Sequence, residues 1–326
     1  CRALASASLK RSESGPARAA LGRALRTALQ SNLREMAEDI RADLATIAGT
    51  EHLENLGQAV DLIGGANVGE RRFVLLDRLG KGGAGELHRA IDLADGQLVA
   101  LRKIDLGNLG EDRFPVIANA IKTAYAAAGQ FNDPRLAGVL DLRMAPDGAV
   151  YIVQRFVEGQ TLRQVYGSGA APARLLGLLA GVAEALVVLH SQNIVHRDLK
   201  PANIIVARNA EGGEAPVIID LGIASVVGES DERAHFGTAP YVAPEQEAGG
   251  PVYGPADVYA LGQMIAEIWG GKLPSHSTLG KLWQKDTPDA MPRAIGDLVG
   301  DMLDLDPARR LSDLSSLAQA LRAQSQ

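Results

Sequence analysis

The run His196-Arg197-Asp198-Leu199-Lys200-Pro201-Ala202-Asn203 constrains this chain more than any other feature. It sets a carboxylate, an ammonium and an amide at short fixed intervals. Together such groups can hold a hydroxyl, a phosphate and Mg²⁺. Further on comes Asp220-Leu221-Gly222, directly after the apolar run Val217-Ile218-Ile219. A second carboxylate at the end of a short buried strand is what a phosphate-bound metal needs.

These residues resemble the catalytic loop and metal-binding motif of the eukaryotic-like serine/threonine protein kinase family. Gly80-Lys81-Gly82-Gly83-Ala84-Gly85-Glu86-Leu87 is similar to the loop that closes over ATP phosphates, where glycines let backbone N–H groups approach closely. Gly237-Thr238-Ala239-Pro240-Tyr241-Val242-Ala243-Pro244-Glu245 resembles the end of the activation segment. Asp257-Val258-Tyr259-Ala260-Leu261-Gly262 and Asp306-Pro307-Ala308-Arg309-Arg310 resemble later signatures of the large lobe. The resemblance covers residues 70–322. It implies an α+β, two-lobed protein kinase fold with a small β-rich lobe and a larger helical lobe, preceded by an N-terminal helical extension. The expected division is 1–69 for the extension and 70–326 for the kinase domain, with a small lobe at about 70–154, a hinge at 155–158 and a large lobe at 159–326.

By resemblance, Asp198 orients the substrate hydroxyl, Lys200 stabilises charge on the transferring phosphoryl group, and Asn203 and Asp220 hold Mg²⁺. Lys200, two residues after the aspartate, resembles the serine/threonine branch. ATP is expected against Gly80, Gly82, Gly85 and Leu87, with Ala100 and Ile205 covering the two flat sides of the base. The Arg155 carbonyl and the Val157 amide would meet its edge, and Gln154 would stand behind it. Glu245 and Arg310 resemble a buried ion pair, and Asp257 would support the catalytic loop from beneath. By resemblance, Arg197 pairs with a phosphorylated residue among Ser225, Ser230 and Thr238, of which Thr238 reads better as a structural threonine touching the catalytic loop, or with an anion supplied by Glu229, Asp231 or Glu232.

The sequence departs from the family at one place that matters. In Val99-Ala100-Leu101-Arg102-Lys103 the ATP-anchoring lysine belongs two residues after the alanine, where Arg102 stands. Side chains alternate along a strand, so Arg102 shares a face with Ala100, and Lys103 serves only if the register slips or a bulge intervenes. The glutamate that usually partners the lysine falls near Ala124, in a stretch 116–128 with no acid; Glu111 and Asp112 precede it. Lys81 is the other cation to weigh, against the ordinary reading of a solvent-facing residue. The expected function is transfer of the γ-phosphate of Mg-ATP to serine or threonine hydroxyls of a protein, with weak or atypical activity. The alternative is a pseudokinase, an ATP-binding regulatory or scaffold module.

Short β-like runs are expected at 72–79, 86–93 and 97–104, with Asp95-Gly96 as a hairpin signal, then a helix at 113–129. Further strands fall at 137–143 and 149–153, joined by a turn at Pro146-Asp147-Gly148. Ahead of them, Leu25, Leu29, Leu33, Met36, Ile40, Leu44 and Ile47 recur at spacings of three and four, an amphipathic helix over residues 16–48. Thr50 is expected to cap a second helix carrying Leu53, Leu56, Val60 and Ile63. This hairpin packs on itself or the kinase, or makes residues 16–63 the site of a homodimer or regulatory partner.

Composition excludes several classes. With 326 residues, 46% apolar and 22% charged, the chain is an ordinary globular one. A net charge of −6 supplies no basic face for nucleic acid. The one cysteine, Cys1, permits no internal disulfide and fits a reducing cytoplasmic setting. No membrane span is expected, because the apolar stretch 175–189 is interrupted by Glu184 and falls short of the roughly 20 residues a bilayer requires. The chain begins with cysteine in place of methionine, which fits a fragment or a processed product.

Overall fold

Short runs rich in Val, Leu and Ile, punctuated by glycine, build an antiparallel sheet in the first part of the chain. The structure, a computed structural model, describes residues 20–21, 24–25, 27–28, 39–40, 43, 59–60, 73–82, 85–92, 95, 97–105, 133–144, 149–209, 211–220, 240–270 and 291–325. The helix expected at 113–129, the turn at 146–148, and Ser225, Ser230 and Thr238 lie outside the described residues. The chain divides into two units, Cys1–Ala118 with Val139–Phe156, and Asn119–Gly138 with Val157–Gln326.

In the first unit the strands are β1 (Ala59–Val60), β2 (Phe73–Gly82), β3 (Gly85–Asp92), β4 (Leu98–Asp105), β5 (Val139–Met144) and β6 (Ala149–Arg155). They lie in the order β1-β2-β3-β4-β6-β5. The β3–β4 and β4–β6 ladders run without a register shift, whereas β2 carries irregularities between Leu75 and Asp77 and between Arg78 and Gly80. One face packs Phe73, Ala90, Val99, Leu101, Tyr151 and Val153 into a core cluster. Each fully buried aliphatic or aromatic side chain there contributes about 1.5–3 kcal/mol. The opposite face carries Leu87, Ala100, Arg102, Ile152 and Gln154, as cross-strand pairing requires.

The extension differs from expectation at Val60, whereas Thr50, Leu53, Leu56 and Ile63 lie outside the described residues. Ala59–Val60 is a strand paired with Val74 and Phe73, not part of a helix. Gly57 weakens a helix there by about 1 kcal/mol relative to alanine, and the open edge of β2 offers backbone partners instead. In the first half, the described residues are helical, with Leu21, Leu25, Ala28 and Ile40 buried. Leu29, Leu33, Met36, Leu44 and Ile47 lie outside the described residues.

The second unit is built on α1 (Leu162–Gly167), α2 (Pro172–Ser191), α3 (Pro244–Glu247), α4 (Gly254–Gly270), α5 (Arg293–Met302) and α6 (Leu314–Ala323), with a small sheet β7 (Gln160–Thr161), β8 (Ile204–Arg208) and β9 (Glu214–Ile218). Thr161 starts α1 through a capping box: its hydroxyl accepts from the Gln164 amide at 3.2 Å, and the Gln164 side chain accepts from the Thr161 amide at 2.8 Å. Asp313 caps α6 through the amides of Ser315 and Ser316, both at 3.0 Å.

Helix α2 corrects the expectation that its apolar stretch is too short. It spans 20 residues and is long and apolar enough to cross a membrane by length and composition. It is nonetheless buried within this unit, where it packs against α6, β9 and α4. Glu184, the acid in this helix, accepts hydrogen bonds from Arg135 and, at 2.7 Å, from Arg322. Gly181 lets β9 close on α2, since a Cβ there would sit 2.7 Å from Pro216 Cγ.

Candidate active site

Helix α4 supplies the foundation of the catalytic run. Asp257, buried in its first turn, accepts from the backbone amides of His196 at 2.8 Å and Arg197 at 2.9 Å, and contacts His190 Nε2 at 2.8 Å. A buried carboxylate with several donors is well satisfied, and here it sets the main chain immediately ahead of Asp198. This is the supporting role expected of Asp257. His196 is fully buried, with Nε2 3.0 Å from the Ile219 carbonyl and Nδ1 3.3 Å from the Asp198 amide. That pair of contacts selects the tautomer with its proton on Nε2.

The four catalytic candidates fall in this unit, and three of them touch. Lys200 Nζ donates to Asp198 Oδ2 at 2.7 Å. Asn203 Nδ2 donates to the Asp198 carbonyl at 2.8 Å and to Oδ2 at 3.1 Å. Both side-chain contacts fall on Oδ2, so neither of them occupies Oδ1. The Asn203 carbonyl accepts from the Ile219 amide at 2.9 Å, which ties the catalytic run to the residue before Asp220. The short 3₁₀ turn Pro201–Asn203 makes this closure.

Asp220 has a φ of 61°, a left-handed conformation that aspartate tolerates better than most residues. Among the described residues its buried Oδ1 has no hydrogen-bond partner, while the residue makes other contacts. Because the Asn203 amide nitrogen is committed to Asp198, its oxygen is the end that could ligate a cation. An amide oxygen and a carboxylate are hard donors that fit Mg²⁺, which takes few protein ligands and keeps its other positions for phosphate and water. No group of three or more His, Cys, Asp or Glu that could hold a metal ion occurs among the described residues.

Arg197 has a φ of 65°, a conformation that costs roughly 1–2 kcal/mol for a residue with a side chain. Its carbonyl accepts from Gln246 Nε2 at 2.8 Å. Glu245 forms the expected ion pair with Arg310, at 2.6 and 2.7 Å, and Arg310 also donates to the carbonyls of Asp304 and Pro255 and lies 5.0 Å from the Tyr259 ring centre. Tyr241 donates to Glu267 at 2.6 Å and accepts from Arg163. Burial, with Glu267 beside it, holds the Tyr241 hydroxyl protonated well above its ordinary range.

Of the candidates for the base, Ile205, expected against one flat side, lies on β8, and Val157, expected at the edge, is half-buried. Gly159, with a φ of 159°, allows close packing on that strand, because a Cβ would lie 2.3 Å from the Val206 carbonyl.

The first unit positions the others. Gly82 pairs with Gly85 at the end of the β2–β3 ladder. Gly85 has a φ of 101°, and a Cβ there would meet the Lys103 carbonyl at 1.9 Å; no other residue fits. Gly80 lies opposite Leu87, which lies opposite Arg102. Ala100 lies opposite Gln154, which is buried, and Arg155 ends β6 at an exposed position. No bulge interrupts β4, so Lys103 stays on the other face, where its ammonium lies 5.8 Å from the Tyr151 ring centre. Lys81 is the solvent-facing residue of the two readings. It is 67% exposed and pairs at 3.0 Å with Glu86. The Lys81 ammonium and His88 hold the Glu86 carboxyl below its ordinary range. Ala124, Glu111 and Asp112 lie outside the described residues.

Sequence reasoning missed Gln246, His190 and the Arg163–Tyr241–Glu267 cluster. Only His190 carried a usable signal, a histidine in the last turn of the helix leading to the catalytic run.

The family described as Protein kinase domain matches residues 73–324. Serine/threonine-protein kinase pkn2 of Myxococcus xanthus is 30% identical over 273 residues, covering 77% of this chain and 32% of that protein. PknB of Mycolicibacterium smegmatis is 34% identical over 233 residues, covering 68% of this chain and 36% of that protein. The chain thus spans about a third of the length of these curated relatives. The crystal structure of the Mycobacterium tuberculosis PknI kinase domain has a TM-score of 0.60 at 21% identity, covering 80% of this chain and 100% of that one.

Proposed function

We propose that this chain, which belongs to the eukaryotic-like serine/threonine protein kinase family, transfers the γ-phosphate of Mg-ATP to serine or threonine hydroxyls of a protein, at a rate limited by Arg102. The observation that carries this reading is the closed hydrogen-bond set of Asp198, Lys200 and Asn203 standing on buried Asp257. Asp198 accepts a hydrogen bond from the substrate hydroxyl through Oδ1 and orients it toward the phosphorus. Lys200, held beside it, meets the negative charge of the phosphoryl oxygens. Asn203 and Asp220 would hold Mg²⁺, which when bound supplies charge neutralisation to the triphosphate.

The glycines and Leu87 of the β2–β3 hairpin, with Ala100 and Arg102 of β4, form the proposed nucleotide-facing set of the first unit. Arg102 meets phosphate as a planar fork where lysine would act as a point charge. A misplaced electrostatic contact of this kind costs about 10²–10³ in rate. The same observation favours the second reading, a pseudokinase that binds ATP without turning it over. The burial of Leu21, Leu25 and Ile40 within a single chain supports packing of the extension on its own chain rather than on a second copy.

Labelled Mg-ATP and a generic protein substrate, with an Asp198→Ala control, test the proposal. Label incorporated by the native chain and lost in the control supports catalysis. Equal background in both, together with a nucleotide-induced rise in Tm, supports the binding module.

A further inference from the structure

Arg197, the residue that leads into Asp198, is gripped at both ends of its main chain by side chains, and one of them has no role in the reading above. The left-handed Arg197 gives its N–H to Asp257 Oδ1 at 2.9 Å. Its carbonyl oxygen takes Nε2 of Gln246 at 2.8 Å. That carbonyl and the Asp198 N–H belong to one planar peptide unit, so whatever fixes the oxygen fixes the rotation of the plane from which the Asp198 side chain departs. The Asp198 N–H in turn donates to the His196 carbonyl at 2.9 Å. A residue in a sparsely populated conformation persists only where its surroundings hold it.

Gln246 is itself fixed. It lies in the short helix α3, and its Oε1 accepts from the Ala243 amide at 3.2 Å. The segment around it is anchored twice: Tyr241 is bonded to Glu267 of α4 and Arg163 of α1, and Glu245 is bonded to Arg310. Residues 240–247 therefore form a strut tied to the helical unit, and Gln246 carries the position of that strut to the catalytic run.

We propose that Gln246 is a positioning residue for Asp198, acting through the Arg197 carbonyl, so that the order of segment 240–247 is transmitted to the catalytic carboxylate. This rests on the kinase reading for its effect on rate, though not for its effect on the conformation of the loop.

Two substitutions separate the two ends of the amide. Gln246→Glu keeps the length and the acceptor for Ala243, but has no N–H for the Arg197 carbonyl and sets a negative charge against it. Gln246→Lys keeps a donor for that carbonyl and gives up the acceptor. For Gln246→Glu the expected result is a kcat lower by roughly 10- to 100-fold, the scale of a misplaced catalytic group, with the KM for ATP and the Tm near native. Gln246→Lys recovers most of the loss. Amide hydrogen exchange in peptides covering 194–203 should be faster in Gln246→Glu than in Gln246→Lys or the native chain. A kcat for Gln246→Glu within about twofold of native, or an equal loss in both variants with a lowered Tm, overturns the inference, because a purely structural residue behaves that way. If the native chain shows no Asp198-dependent transfer, the kinase reading fails and exchange decides alone. Faster exchange in Gln246→Glu then upholds the positioning role, and unchanged exchange overturns it.

Discussion

Arg102 stands directly opposite Leu87 in an unbroken β3–β4 ladder, and its neighbour Lys103 stands opposite Glu86 on the other face of the sheet. The two cations are adjacent in sequence and separated in space by the pleat, so substitutions at the two positions should differ sharply. Lys103→Met leaves the nucleotide-induced rise in Tm and the phosphotransfer rate within about twofold of native, as for other substitutions away from a site. Arg102→Met reduces both. Thermal shift with Mg-ATP and initial rates on the same preparations check this, and a larger loss from Lys103→Met would place the anchor on the wrong face.

The Glu245–Arg310 pair is the second point of attack. The Arg310 side chain is fully buried and that of Glu245 is 14% exposed, with both carboxylate oxygens engaged. Removing one partner strands the other charge, and Glu245→Gln or Arg310→Met is expected to cost about 3–5 kcal/mol. The double replacement costs less than the sum of the two. Urea unfolding of the single and double variants measures the coupling.

A pH dependence follows from Asp133. The Arg135 guanidinium, 2.8 Å from one carboxylate oxygen and 3.0 Å from the other, holds its carboxyl below the ordinary value of 3.8. A group whose folded pKa is depressed stabilises above its unfolded pKa, and loses that contribution as pH falls through the folded value. Asp133→Asn should therefore lower stability at neutral pH, with the gap to native closing below about pH 4. Chemical unfolding across pH 3 to 7 tests this; a gap that is constant or widens in acid contradicts it.

Much of the site was legible because its chemistry is carried by residue identity over short intervals. Asp198, Lys200 and Asn203 lie within one loop, and the structure needs only a 3₁₀ turn to bring them together. The alternation along β4 was readable for the same reason, since an unbroken strand has one period. Val60 was not, because a strand of two residues has no periodicity and its pairing depends on an open edge elsewhere in the chain. Glu184 looked like an interruption of an apolar helix, and it proves to be the point where Arg135 and Arg322 meet it from distant parts of the sequence. Gln246 was hidden in the same way, for its partner is a carbonyl that a sequence does not display.

Under the proposed function, Asp198, Lys200, Asn203 and Asp220 of the second unit carry the transfer, and Arg102 in the first unit limits its rate. Single-turnover transfer of labelled γ-phosphate, compared among the native chain, Arg102→Lys, Asp198→Ala and the double variant, tests it most directly. Arg102→Lys is expected to gain about 10²- to 10³-fold, the range of one restored electrostatic contact, and Asp198→Ala to abolish transfer in both backgrounds. Transfer that ignores Asp198, or an Arg102→Lys rate no higher than native, would contradict it.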